Sequence, residues 1–261
     1  MPVALHHVVD GAGPRSNKPW VVLAHSLAAD HTLVAAEARL LADRFHVLRF
    51  DIRGHGASPA PAAPYAMTAL ADDAGTLLDS LGITAAHWVG ISLGGMIGMT
   101  LALARPNLLR GLVLADTTSA YPPAAHQSWR DRIAAVRAKG MSAVVDGTLA
   151  RWFTPAFRER EPERFAEIGA MIARTPVEGF VGCCEAIIGH DVTARLGEIG
   201  CPTLVIVGEQ DEATPPAMAE TLRRGIRGAT LHIIPSAAHQ SGVEQPAAFA
   251  ALLEDFLARH T

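Results

Sequence analysis

A serine becomes a strong nucleophile when a base takes its proton and a third group orients that base. Ser92 has the surroundings for that role. It lies in Gly90-Ile91-Ser92-Leu93-Gly94, between a strand-forming run (87–91) and an apolar helical run that begins near Leu93. On a strained strand-to-helix turn the serine oxygen projects above the C-terminal edge of a sheet. Side chains two residues before and two after would collide across such a turn, which is the physical reason for Gly90 and Gly94. Gly95 lets the helix come close, and the helix N-terminus favours negative charge developing at the site. The pattern also arises by chance, as a glycine-rich turn with an incidental serine. The strand before it and the helix after it favour the nucleophile.

The base belongs on a loop after a late strand. Of the 12 histidines, His239 meets that condition: it lies in "SAAHQSGVEQP" (236–246), flanked by small residues that leave room for a substrate. His25 and His55 lie in loops at the same edge and read as structural, holding turns by hydrogen bonds. For the acid, Asp211 stands after a strand in "VIVGEQDEATPP" (205–216), in a loop shaped by Gly208 and Pro215-Pro216. The chain order Ser92, Asp211, His239 is one in which such triads occur. Asp116, which ends the strand run after the Ser92 helix, is the rival acid; either aspartate also reads as a turn or helix cap. A developing oxyanion needs backbone N–H donors. Leu93, the residue after the nucleophile, should supply one. Leu27, in the loop "LAHSLAAD" (23–30) after the first parallel strand, should supply the other.

Those loops need a scaffold. Short, nearly continuous apolar runs at 21–25, 46–51, 87–91, 111–116, 203–208 and 230–235 read as strands covered on both faces. Amphipathic helical patterns lie between them, at roughly 31–43, 68–81, 94–105, 216–226 and 246–259, the last opening on Pro246. This alternation implies a doubly wound, mostly parallel α/β sheet. Residues near 3–9 should pair as an antiparallel edge strand. The alternation breaks once: from 121 to 197 there are helical patterns and no convincing strand, too long a stretch for a plain connection. It reads as a helical cap inserted into a core made of 1–120 and 198–261.

The composition limits what such a molecule does. With 261 residues, 49% of them hydrophobic and 18% charged, the chain can bury a large core. A formal net charge of -4 gives no electrostatic reason to expect nucleic acid or an anionic membrane surface. The three cysteines show no metal-ligand spacing; Cys183 and Cys184 read as small buried residues, and so sparse a set suits a reducing compartment. No signal peptide and no apolar run of membrane-spanning length are visible. The expectation is a cytoplasmic protein that acts on a small molecule, without metal or cofactor; the oligomeric state is not legible.

With these residues placed, the chain resembles the α/β-hydrolase superfamily over nearly its full length, in "FDIRGHGAS" (50–58), "GISLGG" (90–95), "GEQDEATPP" (208–216) and "AAHQSGVEQP" (237–246). Within it, "RWFTPAFRERE" (151–161) and "EGFVGCCEAI" (178–187) look most like the 3-oxoadipate enol-lactonases of aromatic catabolism. Three places depart from that pattern. Ile188-Gly189 stands where Arg-Asp is usual, His25-Ser26-Leu27-Ala28 where Asn-Ser-Leu-Gly is usual, and Asp116 where an uncharged residue is expected.

The resemblance implies a serine hydrolase of carboxylic esters or lactones, acting on an enol-lactone with a free carboxylate. A cation would meet that carboxylate: Arg130, Arg132 and Arg151 are the candidates, Arg130 and Arg151 ahead of Arg132, each also readable as a solvated helix-face charge, and Ile188-Gly189 removes another. Trp129 and Trp152 would line the pocket or pack the cap onto the core. Asp51, Arg53 and His55 read as a structural loop whose charges pair with each other. The competing readings are a broad carboxylesterase with perhydrolase side activity and a non-catalytic ligand receptor on the same fold. Carbon–carbon bond hydrolases are a more distant reading; dehalogenases and epoxide hydrolases use an aspartate where Ser92 stands.

Overall fold

The computed structural model describes residues 1–11 and 17–260. Among these, the strands are β1 (His7–Asp10), β2 (Trp20–Ala24), β3 (His46–Phe50), β4 (Ala86–Ile91), β5 (Leu109–Ala115), β6 (Thr203–Gly208) and β7 (Thr230–Ile234). They form one sheet in the order β1-β3-β2-β4-β5-β6-β7. β1 runs antiparallel to β3, and the other neighbours are parallel.

The central strands are apolar on consecutive residues because both faces are covered, and the pleat sends alternate residues to different cores. Val22, Ala24, Leu48, Phe50, Trp88 and Leu112 join the apolar cluster on one face; Val21, Leu23, Val47, Val89, Ile91 and Val113 join the cluster on the other. Helices α2 (Met67–Ser80), α3 (Leu93–Ala104) and α9 (Pro216–Gly225) pack into the first, and α1 (Ala35–Leu41) and α11 (Pro246–Arg259) into the second. β7 departs from the expectation of a buried strand. It is the last strand of the sheet, and Thr230, His232 and Ile233 are exposed.

Between β5 and β6 the described chain runs through α4 (His126–Lys139), α5 (Val145–Trp152), α6 (Pro155–Arg160), α7 (Pro162–Arg174) and α8 (Val177–Ile188). Local chemistry sets these boundaries. Gly140, at φ 75° and ψ −177°, ends α4 in a positive-φ conformation open almost only to glycine. Pro155 and Pro162 start α6 and α7, and the Thr154 hydroxyl caps α6 by accepting the Phe157 N–H at 3.2 Å.

Among the contacts that fasten these helices to the edge of the sheet, two are especially close. Gly179 of α8 lies so close to Gly54 that a side chain on either would run into the other backbone. Glu244, buried at the end of α10 (Ser241–Glu244), works in two directions. Its Oε1 accepts the Ala238 N–H at 2.7 Å, and its Oε2 accepts the Thr154 N–H at 3.1 Å and the Thr154 hydroxyl at 2.5 Å. No described helix is long and apolar enough to cross a membrane.

Candidate active site

Ser92 occupies the turn from β4 into α3 with φ 52° and ψ −112°. A non-glycine residue held there is strained, at a cost on the order of 1–3 kcal/mol. The surroundings enforce it: the Ser92 N–H donates to Ala115 O at 2.9 Å, and the Thr117 hydroxyl donates to Ser92 O at 2.7 Å. A side chain at Gly90 would strike the Gly94 and Gly95 backbone, and one at Gly94 would strike Ala24 O. Behind the turn, the Trp88 indole N–H donates to Gly94 O at 3.0 Å.

The structure brings Ser92, His239 and Asp211 together. Ser92 Oγ lies 3.0 Å from His239 Nε2, and His239 Nδ1 lies 2.8 Å from Asp211 Oδ2. All three residues are buried. The Asp211 carboxylate also accepts the Ala213 N–H (2.8 Å), the Thr214 N–H (2.9 Å) and the Thr214 hydroxyl (2.8 Å). Burial opposes its charge, but the His239 charge, the hydrogen bond to His239 and the Thr214 contacts outweigh burial and hold its pKa below the ordinary value. Burial likewise opposes a charge on His239, and the Asp211 charge and hydrogen bond, with a contribution from Asp116, lift its pKa above the ordinary value.

Asp116 lies elsewhere in the network. Its Oδ1 accepts the Gly208 N–H at 3.0 Å, and its Oδ2 accepts the Ser241 N–H at 3.0 Å and the Ser241 hydroxyl at 2.8 Å. It thereby ties the end of β5 to the loops that carry Asp211 and His239. Complete burial, and then the Asp211 charge, push its carboxyl up to about 7.

Leu93 is the first residue of α3, where N–H groups lack intrahelical acceptors. The Leu27 N–H has no protein acceptor among the described residues. Ser92, His239 and Leu27 share one cavity of about 180 Å³, whose wall includes Tyr121, Trp129, Arg132, Arg151, Trp152 and Ile187. Glu212 lies exposed at the rim.

The structure places the expected cap residues unevenly. Trp129, Trp152 and Arg151 line the cavity; Arg130 is exposed and does not. Helical phase explains this. Residues 129 and 132 are three apart and share a face, whereas residue 130 is turned about 100° away. Arg132 is therefore the α4 cation at the cavity. Its guanidinium lies 4.7 Å from the Trp129 ring and 5.4 Å from the Phe180 ring, and Nη2 donates to the Thr148 hydroxyl at 3.2 Å. Its Nε is buried without a partner. Among the described residues, neither Arg132 nor Arg151 has a carboxylate within 4.0 Å. Burial lowers the pKa of both, that of Arg132 to about 10.

Of the stretch 187–189, Ile187 lines this cavity and Gly189 lines a different groove, beside Tyr65 and Thr100. Cys183 and Cys184 are fully buried, and burial raises both thiol pKa values, that of Cys184 to about 12.

The 50–58 loop does not pair its charges internally. Arg53 reaches Asp73 of α2 through Nε (2.6 Å) and Nη2 (2.7 Å), because α2 brings a buried carboxylate alongside. Asp51 Oδ1 accepts the His31 N–H and Nδ1–H at 2.7 and 2.8 Å. His6, His31 and Asp51 are one group of metal-ligand type, with ligand atoms within 4.8 Å of one another, and those two hydrogen bonds already occupy Asp51 Oδ1.

His25, His55 and Gln240 hold the Leu27 loop. The Ala28 N–H donates to His55 Nε2 at 2.9 Å, His25 Nδ1 lies 2.8 Å from Ser26 O, and Gln240 Nε2 donates to Ser26 Oγ at 2.8 Å. The Gln240 and Glu244 contacts have no local sequence signal, since their partners Ser26 and Thr154 lie 214 and 90 positions away.

Sheet order, strained serine turn and late histidine loop together define an α/β hydrolase. The chain belongs to the α/β hydrolase fold family, which it matches over residues 19–246. It is 35% identical over 257 residues to 3-oxoadipate enol-lactonase 2 of Acinetobacter baylyi, covering 98% of this chain and 94% of that protein. The crystal structure of the enol-lactonase from Burkholderia xenovorans LB400 superposes with a TM-score of 0.93 at 37% identity, covering 97% of this chain and 96% of that one. The "Putative carbamate hydrolase RutD" of Caulobacter sp. (strain K31) is 31% identical over 263 residues, covering 97% of this chain and 95% of that protein.

Proposed function

We propose that the protein hydrolyses a small carboxylic ester or lactone that itself carries a carboxylate, of the 3-oxoadipate enol-lactone kind, with helices α4–α8 as the cap over the site. Two unpaired arginines, Arg132 and Arg151, share a small cavity with the Ser92–His239 pair, and this observation carries the reading. Both side chains are half-buried, and a desolvated cation without a counter-ion is costly unless a ligand supplies the charge.

Ser92 Oγ attacks the acyl carbon while His239 Nε2 takes its proton, and Asp211 steadies the imidazolium that forms. The Leu27 and Leu93 N–H groups bind the oxyanion. Collapse expels the alcohol or enol oxygen, protonated by His239; in a lactone this end stays tethered to the acyl group. Water, deprotonated by His239, then frees Ser92 and the acid.

His239 must be neutral to accept the proton, and its pKa lies above 6.5. Protonation removes the base, so kcat/KM is expected to fall about tenfold per unit as pH drops below that raised pKa. A pH–rate profile checks this. An acid limb centred clearly below pH 6.5 is the contrary result.

The reading is tested by comparing 3-oxoadipate enol-lactone with p-nitrophenyl acetate, in the unaltered protein and in Arg132→Met and Arg151→Met. An Arg–carboxylate contact contributes about 1.5–3 kcal/mol. Losing it is expected to raise KM for the lactone roughly tenfold to a hundredfold, with the neutral ester little changed. Strong preference for the neutral ester, with a ratio that neither variant moves, would identify a carboxylesterase instead.

A further inference from the structure

We infer that His55, supported by His25, is a positioning residue for the oxyanion site: it holds the turn that presents the Leu27 N–H to Ser92. The inference rests on the serine-hydrolase reading above. Residues 26–29 form a tight turn closed by the Ala29 N–H on Ser26 O at 3.2 Å. Ala28 is its third residue, at φ 62°. A type II turn requires positive φ there, and glycine usually supplies it. Alanine resists it, because its Cβ crowds the following carbonyl. Left alone, the peptide between Leu27 and Ala28 would rotate toward a type I turn and negative φ. That rotation would carry the Ala28 N–H off its acceptor and shift Leu27 with it.

His55 Nε2 is that acceptor, 2.9 Å from Ala28 N. The partners of the ring fix its protonation. An amide N–H only donates, so Nε2 accepts; Arg53 O only accepts, so Nδ1, 3.2 Å away, carries the proton. His25 is arranged in the same way. Its Nδ1–H donates to Ser26 O at 2.8 Å, and its Nε2 accepts the Ile52 N–H at 3.0 Å. Both rings are fully buried, 5.4 Å apart. Burial keeps both neutral, lowering the His25 pKa and pushing that of His55 down to about 3. All four ring nitrogens are thus committed to the backbone of the 25–28 and 51–55 loops. The Leu27 N–H, without a protein acceptor among the described residues, is left for substrate.

The test uses three substitutions in the full chain, each checked for folding by thermal melt, with steady-state kinetics on a p-nitrophenyl ester. His55→Leu fills the site and removes the acceptor. His55→Asn keeps a donor near Arg53 O and falls short of Ala28, and it replaces the leucine variant if that one does not fold. His55→Gln places an amide oxygen where Nε2 stands. An oxyanion donor acts in the transition state, so its misplacement lowers kcat about 10²-fold or more while KM stays within about twofold. The expected result is that loss in the Leu or Asn variant, with most of kcat recovered in the Gln variant. A folded Leu or Asn variant that keeps kcat within threefold overturns the inference. So does a loss carried by KM, or a Gln variant as impaired as the others. Turnover that survives Ser92→Ala would instead defeat the serine-hydrolase reading, and the two failures are separately visible.

Discussion

Ser92→Ala is expected to lower kcat by on the order of 10⁶-fold and to abolish covalent labelling by a fluorophosphonate. The size of the effect follows from the geometry. Ser92 Oγ is 3.0 Å from His239 Nε2, in a turn whose strained backbone is held by Ala115 and Thr117. No other hydroxyl is hydrogen-bonded to that imidazole nitrogen among the described residues; the Thr214 hydroxyl approaches the opposite one, Nδ1, at 3.3 Å. Removing Ser92 Oγ therefore removes covalent catalysis outright and leaves only binding and the oxyanion donors. The alanine variant should fold, because strand, turn and helix contacts to residue 92 are all made by its backbone. Near-normal turnover by a folded Ser92→Ala protein would end the proposed mechanism.

The second large effect separates two aspartates. Asp211→Asn is expected to cost about 10⁴-fold in kcat, as in comparable triads. An amide in place of the carboxylate cannot stabilise the imidazolium and favours the wrong tautomer of His239. Asp116→Asn should cost far less activity and more stability. Its two oxygens accept two backbone N–H groups and a hydroxyl, and an amide NH₂ would face those donors with a donor of its own. The expected loss of stability is about 1–3 kcal/mol. Paired kinetic and melting measurements on both variants decide the matter. A larger kcat loss in Asp116→Asn would give that residue the orienting role.

The layered sheet was legible in the sequence because central parallel strands must be apolar on successive residues, and little else produces six such runs separated by helical patterns. β7 carried the same signal and is partly exposed: strand composition reports pairing in the sheet, but not which strand ends it. The turn at Ser92 was legible for a local reason, since Gly90 and Gly94 answer a collision within five residues. Asp211 and Asp116 were harder to separate. Both follow a strand, and only the three-dimensional path of the 208–214 loop shows which one meets His239. Arg132 could have been ranked above Arg130 from helical phase, because Trp129, Arg132, Ile133 and Val136 form one stripe of α4. That His25 and His55 hold turns by hydrogen bonds was legible from their loop positions; which backbone groups they hold was not. A histidine that accepts a backbone N–H looks like any other until its partner, 27 residues away, is placed beside it.

The carboxylate of Glu244 joins two parts of the molecule that would otherwise vary separately. One oxygen belongs to the loop of the base, and the other to the start of α6, where Thr154 supplies a hydroxyl and an amide. A lineage or an engineer exchanging the helices between β5 and β6 for a different set, to admit a different acid or ester, would inherit a constraint at this junction. The incoming segment must bring its own pair of donors to the position of Thr154. A segment without them strands a buried carboxylate oxygen on the residue that also holds the Ala238 N–H, next to His239, and the penalty appears as lost catalysis in a protein whose new pocket is well shaped. Successful grafts should therefore keep a serine or threonine followed by proline at this boundary, or exchange Glu244 together with the helices.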